Sequence, residues 1–329
     1  MSKLKLSLHP SMTPTLVLVD AIARSGKAIF SDLMPALSKM EHIQFCYEFE
    51  IILQGMLLDG VTDEFANAFL RIYFNELSYN LQIGRNVNCR ALDQTGVQNF
   101  RDPELYFKRM LLQDGDEIVK KCMESDILIP INTHEILANY SQLSKLKLNY
   151  KMISLWRNPI DLIYSWVDRG WGERYSLNDP RAFAINLSLG DQIVPWHFAI
   201  TQPDSSVLPN QFSGANLCAS VVFSLIDSSV SNFKKVPKPF IIATKFEDIC
   251  TDPEFEIQKY ADFLGCEVTD YMPTAMQKAR VPRLLQKGDR ERKYSLLESQ
   301  LVPELSSKLL KYAENYEKDL YGLQEASCN

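Results

Sequence analysis

The sequence predicts an α/β protein with a short parallel sheet flanked by helices. Three observations predict it. Thr15 to Asp20, Asp126 to Ile131 and Met152 to Trp156 are compact, largely apolar runs of strand length. Each leads into a polar turn and then a helical pattern. Near-continuous apolar runs, rather than alternating ones, suit strands buried on both faces of a parallel sheet. Open sheets of this kind hold anions at the C-terminal ends of their strands, against helix N-termini.

The first strand runs into a turn from Ala21 to Gly26, and a helix follows with Phe30, Leu33, Met34 and Leu37 on one face. Pro35 inside that pattern should kink or end it. Gly26 lets a backbone approach a phosphate closely. Residues 41–125 alternate helical patterns with polar turns, among them Glu64 to Leu77 and Pro103 to Lys121. Arg85 and Arg90 read as solvated or as facing an acidic acceptor. The second strand ends in Asn132-Thr133-His134. Thr133 is placed to cap a helix through Ile136 and Leu137, leaving His134 in its first turn, where a helix N-terminus disfavours imidazolium.

The third strand ends at Trp156-Arg157. Asn158 can cap the next helix and Pro159 suits its first position. Ile160, Ile163, Tyr164 and Val167 form its buried stripe, with Asn158, Asp161, Ser165 and Asp168 on another face. By spacing alone, Arg157 reads equally as an anion-binding group or as one partner of a buried ion pair. Residues 170–214 are rich in Gly, Pro, Ser and Asn, and read as surface loops around a helix at 181–199. Trp166, Trp171, Tyr175 and Trp196 there serve packing or ring stacking. Asn216 to Ile226 reads as a buried helix. Pro237 to Asp248 gives another strand, followed by a helix capped by Asp252, opened by Pro253 and ended by Gly265, with Ile257, Tyr260, Ala261 and Leu264 buried. Arg280 to Lys293 is a basic cluster. Leu305, Leu309, Tyr312 and Tyr316 mark a last amphipathic helix.

Composition narrows the function classes. The chain of 329 residues is 46% hydrophobic and 23% charged, with a net charge of −6. That balance argues against a nucleic-acid partner. The cysteines, at 46, 89, 122, 218, 250, 266 and 328, form no Cys-x-x-Cys pair. They read as reduced thiols of a cytoplasmic protein, with neither a disulfide frame nor a metal site. No apolar stretch approaches the roughly 20 residues of a membrane span. The N-terminus lacks the apolar run of a signal peptide. The oligomeric state is left open, a homodimer included.

Two phosphate-binding readings compete for the first turn. A Walker A loop needs a first glycine and a magnesium-binding hydroxyl, and the chain has Ala21 and Ala28 at those positions. The alternative rests on resemblance. Arg157-Asn158-Pro159-x-Asp161-x-x-x-Ser165 resembles the 3′-phosphate-binding segment of the sulfotransferases that use 3′-phosphoadenosine 5′-phosphosulfate (PAPS). Arg24-Ser25-Gly26 resembles their 5′-phosphosulfate loop, with Lys27 and Ala28 where hydroxyl residues usually stand. Asn132-Thr133-His134 is similar to their Lys-Thr-His, and Phe246-Glu247-Asp248 to their Tyr-Glu-Asp. Gln286-Lys287-Gly288 stands where they carry Arg-Lys-Gly, a loop over the 3′-phosphate, with Lys287, Arg283 or Arg290 available to compensate for Gln286.

The resemblance covers about residues 15–320 and implies a single P-loop-like sulfotransferase domain over 1–329, with 170–214 as the acceptor region. It implies PAPS as sulfuryl donor without a metal, held by Arg24, Ser25, Gly26, Lys27, Ala28, Ile29, Arg157, Ser165, Lys287 and Gly288. It implies His134 as general base, with Arg24 and Lys27 stabilising the leaving 5′-phosphate, and a small-molecule or glycan hydroxyl as acceptor. The rival readings are a P-loop kinase or nucleotide hydrolase, and a non-catalytic protein that keeps the fold.

Overall fold

A computed structural model describes residues 5–174, 185–189, 192–196 and 214–323. Its centre is a five-stranded sheet in the order β2 (Gln44–Phe45), β3 (Leu128–His134), β1 (Thr15–Ala21), β4 (Tyr150–Trp156) and β7 (Ile241–Lys245). Every pairing in it is parallel. Side chains of a strand alternate between faces, and β1 shows the consequence. Leu16 and Leu18 enter one apolar cluster, Val17 and Val19 the other. Both faces are covered, which is why the strand is apolar at nearly every position.

Local signals set most boundaries. The helix after β1 spans only Ile29–Leu33, and Pro35 sits in the 3-10 turn Met34–Ala36 that ends it. Asn158 Oδ1 accepts the amide of Ile160 at 3.0 Å, starting the helix Pro159–Asp168. Asp252 caps Pro253–Leu264, and Gly265 ends it in the left-handed region at φ 72°. The helix Gly214–Phe233 is long and apolar enough to cross a membrane, but it packs against Pro159–Asp168 with Val222, Leu225 and Ile226 buried. The stretch 103–121 divides into two helices, Pro103–Arg109 and Asp116–Glu124.

Three expectations are corrected. The described part of 181–199 is an antiparallel pair, β5 (Asn186–Leu189) with β6 (Gln192–Pro195), not a helix. Thr133 caps nothing: it stays in β3, donating its hydroxyl to Asp20 Oδ1 at 2.9 Å. Buried Asp20 instead accepts the amides of Ile136 and Leu137 at 3.0 and 2.9 Å. His134 is therefore the last strand residue, outside any helix N-terminus. Finally, Gln286 to Asp289 is no loop; Lys287 and Gly288 open the helix Lys287–Glu298.

Candidate active site

The candidate residues meet at the C-terminal edge of β3, β1 and β4. Register brings them there: Ala21 lies opposite His134, and Asp20 opposite Ser154, three residues before Arg157. The loop after β1 is held from several sides. Glu135 Oε1 accepts the Ala23 amide at 2.7 Å, and the Trp166 indole donates to Ala23 O at 2.8 Å. The Arg157 guanidinium donates to Arg24 O at 3.0 Å. Gly26 has φ 97°, and a Cβ there would stand 2.4 Å from the Phe246 ring. Only glycine fits both constraints.

This bracing divides the loop's amides. Those of Ser25 and Ile29 close turns onto Ile22 O and Gly26 O, and the Ser25 hydroxyl also donates to Ile22 O. Ser25 and Ile29, expected to bind the donor, are thus taken up by the loop itself. The amides of Arg24, Gly26, Lys27 and Ala28 have no hydrogen-bond partner among the described residues. Consecutive loop amides of this kind form an anion-binding concavity.

Around the loop the charge is positive. Arg24 Nε donates to Ser165 Oγ at 3.2 Å. Partial burial, then the Arg169 and Arg157 charges, lower the Arg24 pKa against the pull of Asp168. It remains a guanidinium nonetheless. Arg157 Nε is buried with no hydrogen-bond partner among the described residues. The Arg157 guanidinium carbon lies 4.9 Å from the Phe246 ring centroid, and that of Arg283 5.6 Å. Among the described residues, the guanidiniums of Arg24, Arg157, Arg169 and Arg283 against the one carboxylate Asp168 leave a local cationic surplus in an acidic chain.

Lys27 differs from its expectation. Its side chain is 6% exposed, and its ammonium donates to Ala21 O and Thr133 O. Burial lowers its pKa, with Asp20, Glu135 and Glu50 acting the other way. It straps β1 to β3 from beneath the loop and does not reach out to a leaving phosphate. Trp166 and Trp196 are likewise core residues. Tyr175 and most of 170–214 lie outside the described residues.

His134 is partly exposed, and its ring Nδ1 lies 3.0 Å from Glu50 Oε1. Glu50 and Phe246 are the residues that sequence reasoning missed. Nothing local links positions 50 and 134, and Phe246 was legible only as part of a fold motif.

The basic cluster is the other correction. Arg290 pairs with Asp161 at 3.2 Å, Glu247 at 2.9 Å and Glu317 at 2.8 Å. Burial opposes its charge, yet Asp161 and Glu247 outweigh it and raise its pKa. Lys293 pairs with Asp161 at 2.6 Å and with Asp289. These cations dock the helix Lys287–Glu298 onto Pro159–Asp168, so Arg290 does not stand in for the residue that Gln286 replaces. Arg85 is likewise paired, with Asp114 at 2.7 Å, and Arg90 with Asp93 at 3.1 Å.

Comparison with known proteins defines the class. The chain belongs to the sulfotransferase domain family, whose model matches residues 61–299. The match begins beyond the loop at 22–28, which β1 joins to the site from its place between β3 and β4. Among solved structures, the sulfotransferase domain of the Synechococcus PCC 7002 olefin synthase is 12% identical at a TM-score of 0.47, over 97% of this chain and 100% of that one. A sulfotransferase domain from the curacin biosynthetic pathway is 11% identical at 0.41, over 87% and 98%. The sulfotransferase STF9 from Mycobacterium avium is 12% identical at 0.39, over 89% and 77%. No curated protein matches significantly.

Proposed function

We propose that the protein transfers a sulfuryl group from PAPS to a hydroxyl of a small molecule or glycan. The observation that carries this reading is the convergence of loop amides without a partner among the described residues, Arg24, Arg157, Ser165 and His134 on one sheet edge with a surplus of positive charge. The residues fit such a donor. Among the described residues Arg157 Nε has no hydrogen-bond partner, and Gly26 keeps the loop free of a side chain against Phe246.

When bound, PAPS supplies the sulfuryl group and its 5′-phosphate is the leaving group. Arg157 and Ser165 hold the 3′-phosphate. Arg24 and the amides of Gly26, Lys27 and Ala28 hold the 5′-phosphate and stabilise the charge that grows there. Lys27 contributes as the strap under the loop. His134 accepts the acceptor's hydroxyl proton as general base. We place the reaction in the cytoplasm on the dispersed cysteine pattern.

The test is isothermal titration with 3′,5′-adenosine bisphosphate, beside ATP with magnesium. Binding of the bisphosphate, lost in Arg157→Ala, supports the reading. Preference for ATP with magnesium would replace it with a kinase. Binding of neither would favour a non-catalytic protein that keeps the fold.

A further inference from the structure

Glu50 sets a single carboxylate oxygen against two atoms of one residue. Oε1 accepts the His134 amide at 2.8 Å and lies 3.0 Å from ring Nδ1. The Glu50 side chain is 12% exposed and that of His134 29%. The arrangement has a structural origin. β2 ends at Phe45, opposite Asn132, and among the described residues no strand continues along that edge of β3 to meet the His134 amide. Glu50, one turn into the helix Tyr47–Leu57, supplies the acceptor that the missing strand would have provided. The same peptide unit is gripped from its other end, because Thr133 O accepts the buried Lys27 ammonium. Phe49 and Leu53, flanking Glu50 on the helix, are fully buried and anchor it.

We propose that Glu50 is the positioning residue of His134: it holds the imidazole as the Nδ1–H tautomer and leaves Nε2 as the proton acceptor. The inference rests on the reading of His134 as general base. Its physics is that of a ring nitrogen facing a carboxylate. An ionised carboxylate only accepts hydrogen bonds, so the nitrogen that faces it carries the proton and the other nitrogen keeps its lone pair. Oε1 is already committed as an acceptor by the amide, whose proton cannot be exchanged for a lone pair. A neutral imidazole without such a partner is free to take either tautomer and any ring rotation.

The role differs from simple satisfaction of an edge amide. In Glu50→Gln the amide of His134 keeps an oxygen acceptor, while the carboxamide NH2 can face Nδ1 and reverse the tautomer, as replacement of a triad aspartate by asparagine does in serine proteases. The experiment is two-bond proton–nitrogen correlation NMR on the full chain carrying 15N-labelled histidine, at a pH where the rings are neutral. There are four histidines, and His134→Gln assigns the signal. We expect the wild-type His134 ring to be protonated at Nδ1 and the Glu50→Gln ring to shift its proton to Nε2. Under turnover, the same variant should lose about 100- to 10,000-fold in kcat with KM little changed, the range for a displaced general base.

A wild-type ring protonated at Nε2, or a tautomer identical in Glu50→Gln, overturns the proposal. The wild-type reading does not depend on the Glu50→Gln variant folding. It also needs neither donor nor acceptor, so its outcome is independent of whether the protein binds 3′,5′-adenosine bisphosphate, which tests the sulfotransferase reading itself.

Discussion

Two clusters of basic side chains meet the helix Pro159–Asp168, one through Ser165 and the other through Asp161, and they differ in their charge partners. On one side Arg24, Arg157 and Arg169 crowd each other, with Asp168 the acidic group acting on Arg24. On the other, Arg290 and Lys293 are met by Asp161, Glu247, Glu317 and Asp289. The first cluster repels itself and holds, among the described residues, an Nε without a hydrogen-bond partner; the second is neutralised. Neutralised charge supports architecture, whereas unneutralised charge at a strand end is what an anion can bind. The chemical type of the residues does not separate the two. Their carboxylate partners do.

The comparison can be broken most directly at Arg157. Arg157→Ala should weaken 3′,5′-adenosine bisphosphate binding about 100-fold, roughly 3 kcal/mol for a desolvated charge partner. Its thermal midpoint should stay within a few degrees of wild type. Calorimetric titration and a melting curve measure both, and unchanged affinity would remove the distinction between the clusters. Arg290→Met should do the reverse, costing about 2 kcal/mol of stability because Glu247 and Glu317 lose their cation and Asp161 keeps only Lys293, less than a fully buried pair would. Denaturant unfolding reads that loss. A fall in affinity larger than the fall in stability would show that Arg290 serves the ligand after all.

Smaller effects sharpen the same boundary. Ser165→Ala removes one hydroxyl and should weaken bisphosphate binding by about 1 kcal/mol, roughly fivefold, with stability close to wild type. Lys27→Met tests the strap. Because burial lowers the Lys27 pKa below its ordinary 10.5, the unfolded chain binds more protons at alkaline pH, and native stability rises as pH climbs from the lowered value toward 10.5. Wild type should therefore gain stability relative to Lys27→Met across that alkaline window. Equal slopes for the two proteins, followed by urea unfolding, would mean that burial does not lower the Lys27 pKa.

Much of the framework was legible before any coordinates. The three apolar runs are β1, β3 and β4; the Asn158-Pro159 and Asp252-Pro253 starts and the Gly265 stop are where the sequence puts them. The site was legible in part. Arg24, Arg157 and Ser165 do come together, as their placement after strand ends implies. Thr133 misled because a threonine before a helical pattern satisfies the cap signal, whereas Asp20 from another strand makes the cap. The antiparallel strands Asn186–Leu189 and Gln192–Pro195 stand where the sequence predicts a helix, because a short segment carries no decisive period.

What the sequence by itself determined about this protein is the local grammar: which runs are buried strands, where helices start and stop, and which turn carries the glycine. Those signals act through capping bonds, proline geometry and periodicity over a few residues. Only the tertiary structure decided who partners whom. The Glu50 and His134 partners are 84 residues apart, and Arg290 lies 129 from Asp161. Whether Lys27 points out to an anion or in to two carbonyls depends on the space beneath the loop, between β1 and β3. Pairing and direction are set by packing at a distance, where a charge keeps or loses its role according to the carboxylates folded against it.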